Sequence, residues 1–174
     1  MGGTVQVSDR PAAEARVRTA TLRVRAVRPS DVRALEVLFA GLDTAWFRPH
    51  DLGPEGARAV ADHVGRDVYL IGFLARTPVA YGMLRGWDEG YRIPALGIAV
   101  RDGYRDQGLG RQMMHALHRV VRERGGDRVR LRVASGNARA RHLYESMGYR
   151  QVGTERGELV LLLELGRTGE PNAT

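Results

Sequence analysis

Apolar and polar positions recur along this chain with two periods, and each period predicts a different kind of element. Near residue 22 the two kinds of residue alternate, as in a half-buried strand. After the candidate N-cap at 29–31, Val32, Leu35 and Leu38 follow at helical spacing. The first half of the chain is predicted to contain strands at 22–27, 68–74, 79–84 and 95–100, a turn at 76–78, and helices from residue 32 and at about 54–64.

Helical and strand patterns alternate in the second half of the chain. A helix predicted at about 108–124 carries one apolar face, formed by Leu109, Met113, Ala116, Leu117, Val120 and Val121. The remaining elements are predicted as a strand at 128–133, a helix at 137–147 and strands near 152 and at 158–165. The order β-α-α-β-β-β-α-β-α-β-β predicts a single mixed α/β domain at 21–166, between flexible tails at 1–20 and 167–174.

The composition narrows the class of protein. The 174 residues are 43% hydrophobic and 27% charged, as is typical of a globular domain. The absence of cysteine excludes a disulfide scaffold, thiolate zinc sites and a cysteine nucleophile. No apolar run approaches the roughly 20 residues of a membrane span, and residues 1–20 lack the apolar block of a secretory signal. The sequence therefore predicts a cytoplasmic protein that does not bind membranes.

The basic charge favours a small anionic ligand over nucleic acid. The formal net charge is +7 and every one of the 27 basic residues is an arginine, but the arginines are scattered and aromatic residues make up only 6%. We therefore predict no nucleic-acid partner, although a basic surface still attracts phosphate groups. His115 and His118 lie one helical turn apart without a cysteine or carboxylate to complete a zinc site, so no metal is predicted.

The segment at 103–111 is the strongest candidate for an anion site. It lies between an apolar strand and an amphipathic helix, and its glycines let the backbone approach a ligand closely. The unpaired N–H groups and the dipole at a helix N-terminus favour a diphosphate, and Arg105 and Arg111 can add charge-assisted hydrogen bonds. A Walker loop is excluded because the chain has no lysine, and Met113 stands where a dinucleotide fingerprint needs Gly or Ala. On spacing alone, a plain turn at a helix start fits equally well.

Two motifs together resemble those of a known family. The first is Ile98-Ala99-Val100 followed by Tyr104-Arg105-Asp106-Gln107-Gly108-Leu109-Gly110. The second is Asn137-Ala138-Arg139-Ala140-Arg141-His142-Leu143-Tyr144-Glu145-Ser146-Met147-Gly148-Tyr149. The first resembles the Arg-x-x-Gly-x-Gly signature of the GNAT acetyltransferase superfamily, and the second resembles that family's second motif in the family's order and separation.

The resemblance implies a GNAT-like α/β domain, with a mixed, mostly antiparallel β-sheet flanked by about four helices, and acetyl-CoA (coenzyme A) as the cofactor. It implies that the strand at Ile98, Ala99 and Val100 offers backbone groups to the pantetheine arm. It also implies that 105–110, with Arg111 beside them, hold the diphosphate. Asn137 and Tyr144 would then lie near the thioester.

Asn137 and Tyr144 share a helical face, because they are separated by seven residues. A phenol with a pKa near 10 can protonate a leaving thiolate or donate a hydrogen bond to it. Each residue also has a structural interpretation, since Asn137 is a good N-cap and Tyr144 belongs to an apolar stripe. The family match favours Tyr144 as the general acid.

The acceptor amine requires a second site. An amine with a pKa of about 10.4 is uncharged in only about one molecule in 2,500 at pH 7, so a proton must be removed before attack. Asp88 and Glu89, between the aromatic residues Trp87 and Tyr91, are the candidates for binding the ammonium and relaying its proton. A solvated turn is the alternative. His50, in the loop between the first two helices, is a further candidate for the base or for acceptor contact.

The predicted function is direct acetyl transfer from acetyl-CoA to an amine, without a covalent enzyme intermediate because no nucleophile is evident. Aromatic and acidic residues at 84–91, with the loop at 47–50, suggest a small polar amine such as an amino sugar or a nucleotide-linked amino sugar. Acetylation of protein N-termini or lysine side chains is the alternative within the class, and a non-catalytic acyl-CoA-binding sensor is the alternative outside it. The sequence leaves the oligomeric state open, a homodimer included.

Overall fold

The computed structural model describes residues 20–47 and 49–166, so the predicted tails at 1–20 and 167–174 lie almost entirely outside the described residues. The strands are β1 (Arg23–Ala26), β2 (Val68–Leu74), β3 (Thr77–Arg85), β4 (Ala95–Val100), β5 (Arg128–Ala134), β6 (Arg150–Glu155) and β7 (Glu158–Glu164). The helices are α1 (Val32–Ala40), α2 (Pro54–Ala61), α3 (Leu109–Glu123) and α4 (Ala138–Ser146), with a 3-10 turn at Pro29–Asp31 before α1.

The seven strands form one sheet in the order β1-β2-β3-β4-β5-β7-β6. All neighbouring pairs are antiparallel except β4 and β5, which are parallel. These two strands share a single register position, Ala95 opposite Arg130, and the Arg130 N–H donates to the Pro94 carbonyl at 3.1 Å. Beyond Ala95 the two strands are no longer paired, so the sheet is open at its centre.

Each face of the sheet is covered by helices. On one face α3 buries Met113 and Leu117, and a Cβ at Gly82 of β3 would come within 2.7 Å of the Met113 sulfur. A side chain at position 82 would therefore force Met113 to move, and glycine lets α3 lie this close to β3 without that shift. On the other face α1 packs Leu38 and Phe39 against Tyr81. The two cores form because successive side chains of a strand point to opposite faces.

The predicted order of elements is confirmed, and some boundaries are corrected. The turn predicted at 76–78 is tighter, because Ala75 is left-handed (φ 52°) and Thr77 and Pro78 already belong to β3. Helix α2 ends at Ala61 instead of near 64. Asn137 lies before α4 as its N-cap, accepting the Ala140 N–H at 3.2 Å.

An ion pair between β1 and the 3-10 turn gives a prediction for stability. Asp31 is 6% exposed, and its two oxygens accept from the Arg25 guanidinium at 2.6 and 2.8 Å. Asp31 also accepts the Arg28 N–H at 2.8 Å. The hydrogen bonds from Arg25, more than any other contact, hold the pKa of Asp31 below its ordinary value of 3.8. The stabilisation from ionised Asp31 is therefore complete above pH 3.8, the ordinary pKa of the carboxyl group. It is lost as the pH falls through the lowered pKa of Asp31 in the folded protein.

We expect Asp31→Asn to reduce the free energy of unfolding at pH 7 by about 1–3 kcal/mol, because hydrogen bonds to a charged group are lost. Urea titrations at pH 7 and pH 3 measure this, and the loss relative to wild type should shrink at the lower pH. The control is Glu36→Gln, which removes an exposed pair with Arg33 and should change stability by less than about 1 kcal/mol. Equal losses of unfolding free energy in Asp31→Asn and Glu36→Gln would contradict the stabilising role assigned to the Arg25–Asp31 ion pair.

Candidate active site

A cleft of about 1570 Å³ opens where β4 and β5 separate. Its walls come from β4, the start of α3, one side of α4 along its whole length and the loop between α1 and α2. Pockets for drug-sized ligands measure about 300–1,000 Å³. This cleft is therefore large enough for an extended ligand.

The first wall is the free edge of β4. Ile98, Ala99 and Val100 pair with β3 on one side only and are partly exposed in the cleft. Backbone groups that a neighbouring strand would satisfy are left open on the other side. Of these, the Val100 carbonyl accepts a long contact from Arg105 Nε at 3.5 Å. The strand predicted to bind a cofactor arm thus lines the cleft with its backbone available.

The second wall is the turn that precedes α3. None of the backbone N–H groups of residues 105–111 donates to a protein acceptor in the part of the chain that the structure describes. Asp106 (φ 61°) and Gly108 (φ 73°) are left-handed, and backbone of this kind forms concave anion-binding nests. The 15-residue helix α3 adds the positive end of its dipole. These features fit a diphosphate.

The side chains around this turn are mostly engaged with one another. Arg105 contacts Asp102 at 2.8 Å and Asp43 at 3.5 Å, which ties the turn to the α1–α2 loop. Asp106 is bound by Arg139 of α4 at 2.6 Å. Arg111 donates to the Ser146 hydroxyl at 2.6 Å, whereas Gln107 does not line the cleft. The backbone N–H groups of this turn are therefore more available to an anion than the predicted side chains are.

Gly110 lies in the first turn of α3, where a side chain at this position would meet close neighbours. A Cβ at this position would lie 3.3 Å from Leu143 Cδ2 and 3.5 Å from Ile98 Cδ1. Such a contact with Leu143 is tighter than most Cβ contacts in proteins. The glycine thus lets the N-terminus of α3 approach both β4 and α4 at the floor of the cleft.

Asn137 and Tyr144 both line the cleft from the α4 side. Tyr144 is 8% exposed, and no group among the described residues forms a hydrogen bond with its hydroxyl. Burial raises the pKa of Tyr144 to about 12. The phenol therefore keeps its proton at neutral pH and has a free donor. Asn137 is the N-cap of α4 and also lines the cleft, so its role as a cap leaves it accessible to a ligand.

The structure places only part of the predicted acceptor cluster at 87–91 in the cleft. Glu89 and Tyr91 line the cleft, whereas Trp87 and Asp88 do not. Trp87 is 7% exposed in the core, with the Arg124 guanidinium 4.6 Å from its ring centre. Trp87 is therefore not an acceptor contact.

Asp88 is held outside the cleft by a reciprocal set of backbone contacts. Its carboxylate accepts the Arg66 N–H at 2.6 Å and lies 3.2 Å from His63 Nε2. The carboxylate of Asp67 in turn accepts the N–H groups of Trp87 and Asp88, at 2.8 and 3.2 Å. Because these bonds point residues 87–88 away from the cleft, Asp88 is not available as its base.

His50 is half-buried, packs against the core between α1 and the sheet, and does not line the cleft. Its Nε2 lies 2.8 Å from the Tyr81 hydroxyl, and its Nδ1 lies 2.6 Å from the Asp51 carbonyl. Its ring contacts Phe39 and Tyr69 as well. Burial, the largest effect, lowers the pKa of His50. Both ring nitrogens are engaged, so His50 is not positioned as the predicted base.

Two aromatic residues of the α1–α2 loop cover the open centre of the sheet. Phe47 lies 3.4 Å from the Cβ position of Gly97 in β4, and Trp46 lies 3.4 Å from that of Gly136, next to α4. Trp46 is 55% exposed and was not among the predicted site residues. A large exposed aromatic residue in a loop is the signal that would have identified it.

Glu89 differs from the other carboxylates of the cleft. The four others each pair with an arginine: Asp43 with Arg105 at 3.5 Å, Asp106 with Arg139 at 2.6 Å, Glu155 with Arg130 at 2.9 Å and Glu158 with Arg132 at 3.6 Å. Within residues 20–47 and 49–166, Glu89 has no hydrogen-bond or ion-pair partner. It is the cleft carboxylate that remains free to bind a cation.

The described residues contain neither a candidate metal site nor a helix that could cross a membrane. They contain no cluster of three His, Cys, Asp or Glu side chains that could hold a metal ion. His118 forms a hydrogen bond with Tyr149, and His115 only contacts the His118 ring. None of the described helices combines the length and the apolar character needed to cross a membrane.

The chain is similar to known acetyltransferases in sequence and in fold. It is 36% identical over 92 residues to streptothricin acetyltransferase of Streptomyces lavendulae, a match that covers 53% of this chain and 44% of that relative. The chain thus spans less than half of this curated relative. Among solved structures it resembles the GNAT-family acetyltransferase from Streptococcus pneumoniae (TM-score 0.70, 20% identity, covering 84% of this chain and 100% of that one). It also resembles yncA from Salmonella typhimurium, solved with its cofactor acetyl-CoA (TM-score 0.65, 22% identity, covering 88% and 99%).

These likenesses confirm the predicted fold class, a mixed and mostly antiparallel sheet with four helices. A family model described as "Acetyltransferase (GNAT) family" matches residues 35–149, which include both motifs and most of the residues that line the cleft. The match extends over more than half of the 174 residues. The chain therefore belongs to the GNAT acetyltransferase family.

Proposed function

We propose that this enzyme transfers the acetyl group of acetyl-CoA directly to the amine of a small polar molecule bound beside Glu89. The observation that carries the proposal is the placement of one unpaired carboxylate in the same cleft as the unpaired N–H groups of residues 105–111. An anion site and a cation site thus open into one cavity. A cofactor diphosphate and an acceptor ammonium require these two charges.

The cofactor side of the cleft fits coenzyme A. The N–H groups of residues 105–110 would bind the diphosphate, and the free edge at Ile98–Val100 would bind the amides of the pantetheine arm. When bound, acetyl-CoA supplies an acetyl thioester whose carbonyl carbon accepts the amine and whose sulfur leaves. Asn137 and Tyr144 lie on the α4 wall, where the family resemblance puts the thioester end.

Tyr144 acts in this proposal by holding its proton and donating a hydrogen bond. Full transfer of a proton from a phenol with a pKa of about 12 to a thiolate with a pKa of about 8.5 would cost about 5 kcal/mol. A hydrogen bond to the developing negative charge needs no such transfer and is strong in a buried site. The burial of Tyr144 therefore favours stabilisation of the leaving group over complete protonation.

Glu89 supplies the opposite charge for the acceptor. Its free carboxylate attracts an ammonium group and can take the ammonium proton directly or through a water molecule. Trp46, Phe47 and Tyr91 are aromatic residues that line the same cleft. Aromatic faces suit sugar rings, so an amino sugar, including a nucleotide-linked one, fits this arrangement. Because one relative is a streptothricin acetyltransferase, we include amine-bearing antibiotics in the same class of acceptors.

The first experiment is thiol release from acetyl-CoA with a panel of amino sugars, amine-bearing antibiotics, polyamines and peptides. We expect turnover with small polar amines and little with peptides. If the enzyme prefers peptide N-termini or lysine peptides, the acceptor is a protein and not a small polar amine. Binding of coenzyme A without turnover of any amine would indicate a sensor instead of an enzyme.

The structure distinguishes the two neighbouring carboxylates that the sequence could not separate. We expect Glu89→Gln to lower kcat/KM for the acceptor by about a hundredfold, the low end for a general base, and to leave the KM for acetyl-CoA unchanged. The matched control Asp88→Asn removes a carboxylate that lies outside the cleft and should retain the acceptor kcat/KM. Steady-state kinetics of both variants measure this difference, and a larger loss in Asp88→Asn would overturn the assignment.

A further inference from the structure

A buried pair of polar side chains lies behind the cleft and has no part in the chemistry above. His118 of α3 and Tyr149, the residue before β6, are each 3% exposed, and His118 Nε2 lies 2.8 Å from the Tyr149 hydroxyl. Tyr149 belongs to a core cluster that consists largely of aliphatic residues, including those of α3 and β5. A phenylalanine at 149 would fill the same space without needing a polar partner. Packing alone therefore does not explain why residue 149 has a hydroxyl group or why a histidine is buried beside it.

Tyr149 is in direct contact with Tyr144. The two ring centres are 5.9 Å apart with the planes at 55°, and the Tyr149 N–H donates to the Tyr144 carbonyl at 3.1 Å. The Tyr144 hydroxyl has no hydrogen-bond partner among the described residues. Its direction is consequently set by the packing of its ring, and Tyr149 is one side of that packing.

The His118–Tyr149 bond is stable over the physiological pH range. Burial, with smaller effects of Arg122 and His115, lowers the pKa of His118 to about 4. Burial also raises the pKa of Tyr149. Both groups are neutral at pH 7, so one of them donates and the other accepts in either tautomer of the histidine. The Tyr149 ring is thereby fixed to α3 as well as to α4.

We propose that the His118–Tyr149 pair positions Tyr144, by holding the ring against which the Tyr144 phenol is oriented toward the cleft. The pair also joins α4 to α3, whose first turn carries the unpaired N–H groups. The pair thereby holds the diphosphate end of the proposed cofactor site, at α3, in a fixed position relative to its thioester end, at α4. This inference rests on the proposed role of Tyr144 and makes Tyr149 and His118 positioning residues, since neither lines the cleft.

Two variants separate positioning from stability. Tyr149→Phe keeps the ring but leaves His118 buried without a partner, and it should lower both the melting temperature and kcat, the latter about tenfold, with the KM for acetyl-CoA unchanged. The double variant His118→Leu/Tyr149→Phe removes both polar atoms. It should recover the melting temperature but not kcat. Recovery of kcat together with stability would show that the pair is only structural.

A double-mutant cycle with Tyr144→Phe gives the second test. In that background Tyr149→Phe should cause no further loss of kcat, because the hydroxyl to be positioned is absent. The same tenfold loss in both backgrounds would overturn the inference. If Tyr144→Phe alone turns over like wild type, the proposed role of Tyr144 fails. If Tyr144→Phe lowers kcat but Tyr149→Phe does not, the inference fails and the proposed function stands.

A readout without any ligand completes the experiment. Nuclear magnetic resonance of the ligand-free protein with ¹³C-labelled tyrosine rings reports the flip rate of the Tyr144 ring. We expect slow flipping in wild type and at least tenfold faster flipping in both Tyr149→Phe and the double variant. Unchanged flip rates in the two variants would show that the pair does not restrain Tyr144.

Discussion

Replacing Tyr144 with phenylalanine is expected to lower kcat about a hundredfold and to leave the Kd for coenzyme A unchanged. The substitution removes one buried donor, and loss of a single donor to a developing negative charge typically costs about 10²–10³ in kcat. The ring, which is 8% exposed and packs on Tyr149, is retained. Steady-state kinetics together with calorimetric titration of coenzyme A measure the two quantities separately.

The pH dependence and a control variant sharpen this prediction. Because the pKa of Tyr144 is raised to about 12, the phenol stays protonated throughout the range in which the protein is assayed. The kcat should therefore not fall between pH 8 and pH 10 through loss of this proton. The control Tyr69→Phe removes a half-buried hydroxyl outside the cleft and should turn over like wild type. An equal loss in both variants would indicate a general effect of removing tyrosine hydroxyls.

The order of elements was predictable from sequence because it depends on local patterns. The apolar face of α3 and the alternation of β5 appear directly as periods of 3.6 and 2 residues. The turn before α3 was recognisable for the same reason, since its glycines and the helix start are adjacent in the chain. Its unpaired N–H groups then follow from the geometry of any helix N-terminus.

The open centre of the sheet was not predictable in this way. It depends on where β4 and β5 stop pairing, and the two strands are separated by the whole of α3. No local pattern in β4 records that its pairing with β5 ends at Ala95. The family resemblance supplied the role of this strand, and the structure supplies the reason that its edge is free.

The acceptor residues were the least predictable part of the site. Within residues 87–91 the sequence shows only that acids and aromatic residues are adjacent. Trp87 and Asp88 are held outside the cleft by Asp67, which lies 20 residues before Trp87 and accepts the backbone N–H groups of both residues. In the same way, His50 is directed into the core by a hydrogen bond to Tyr81, 31 residues later. Long-range polar contacts of this kind leave no periodic signal.

Gly108→Ala is expected to weaken coenzyme A binding about 10- to 100-fold, and Gly103→Ala is expected to leave it unchanged. Both glycines are left-handed, with φ of 73° and 82°, so alanine introduces a similar backbone strain of about 1–2 kcal/mol at each position. Only Gly108 lines the cleft and lies in the run of unpaired N–H groups that precedes α3.

The reason for the difference is the alignment of those N–H groups. Relief of the strain in Gly108→Ala turns the donors at the start of α3 away from a shared anion, and each charge-assisted hydrogen bond contributes about 1.5–3 kcal/mol. A Cβ at Gly103 meets open space, so its strain remains local. Calorimetric titration of coenzyme A into both variants, with melting temperatures as the measure of strain, tests the pair. Equal affinities in two equally destabilised variants would show that the anion is bound elsewhere, and the enzyme would then need a different cofactor site from the one that its backbone presents.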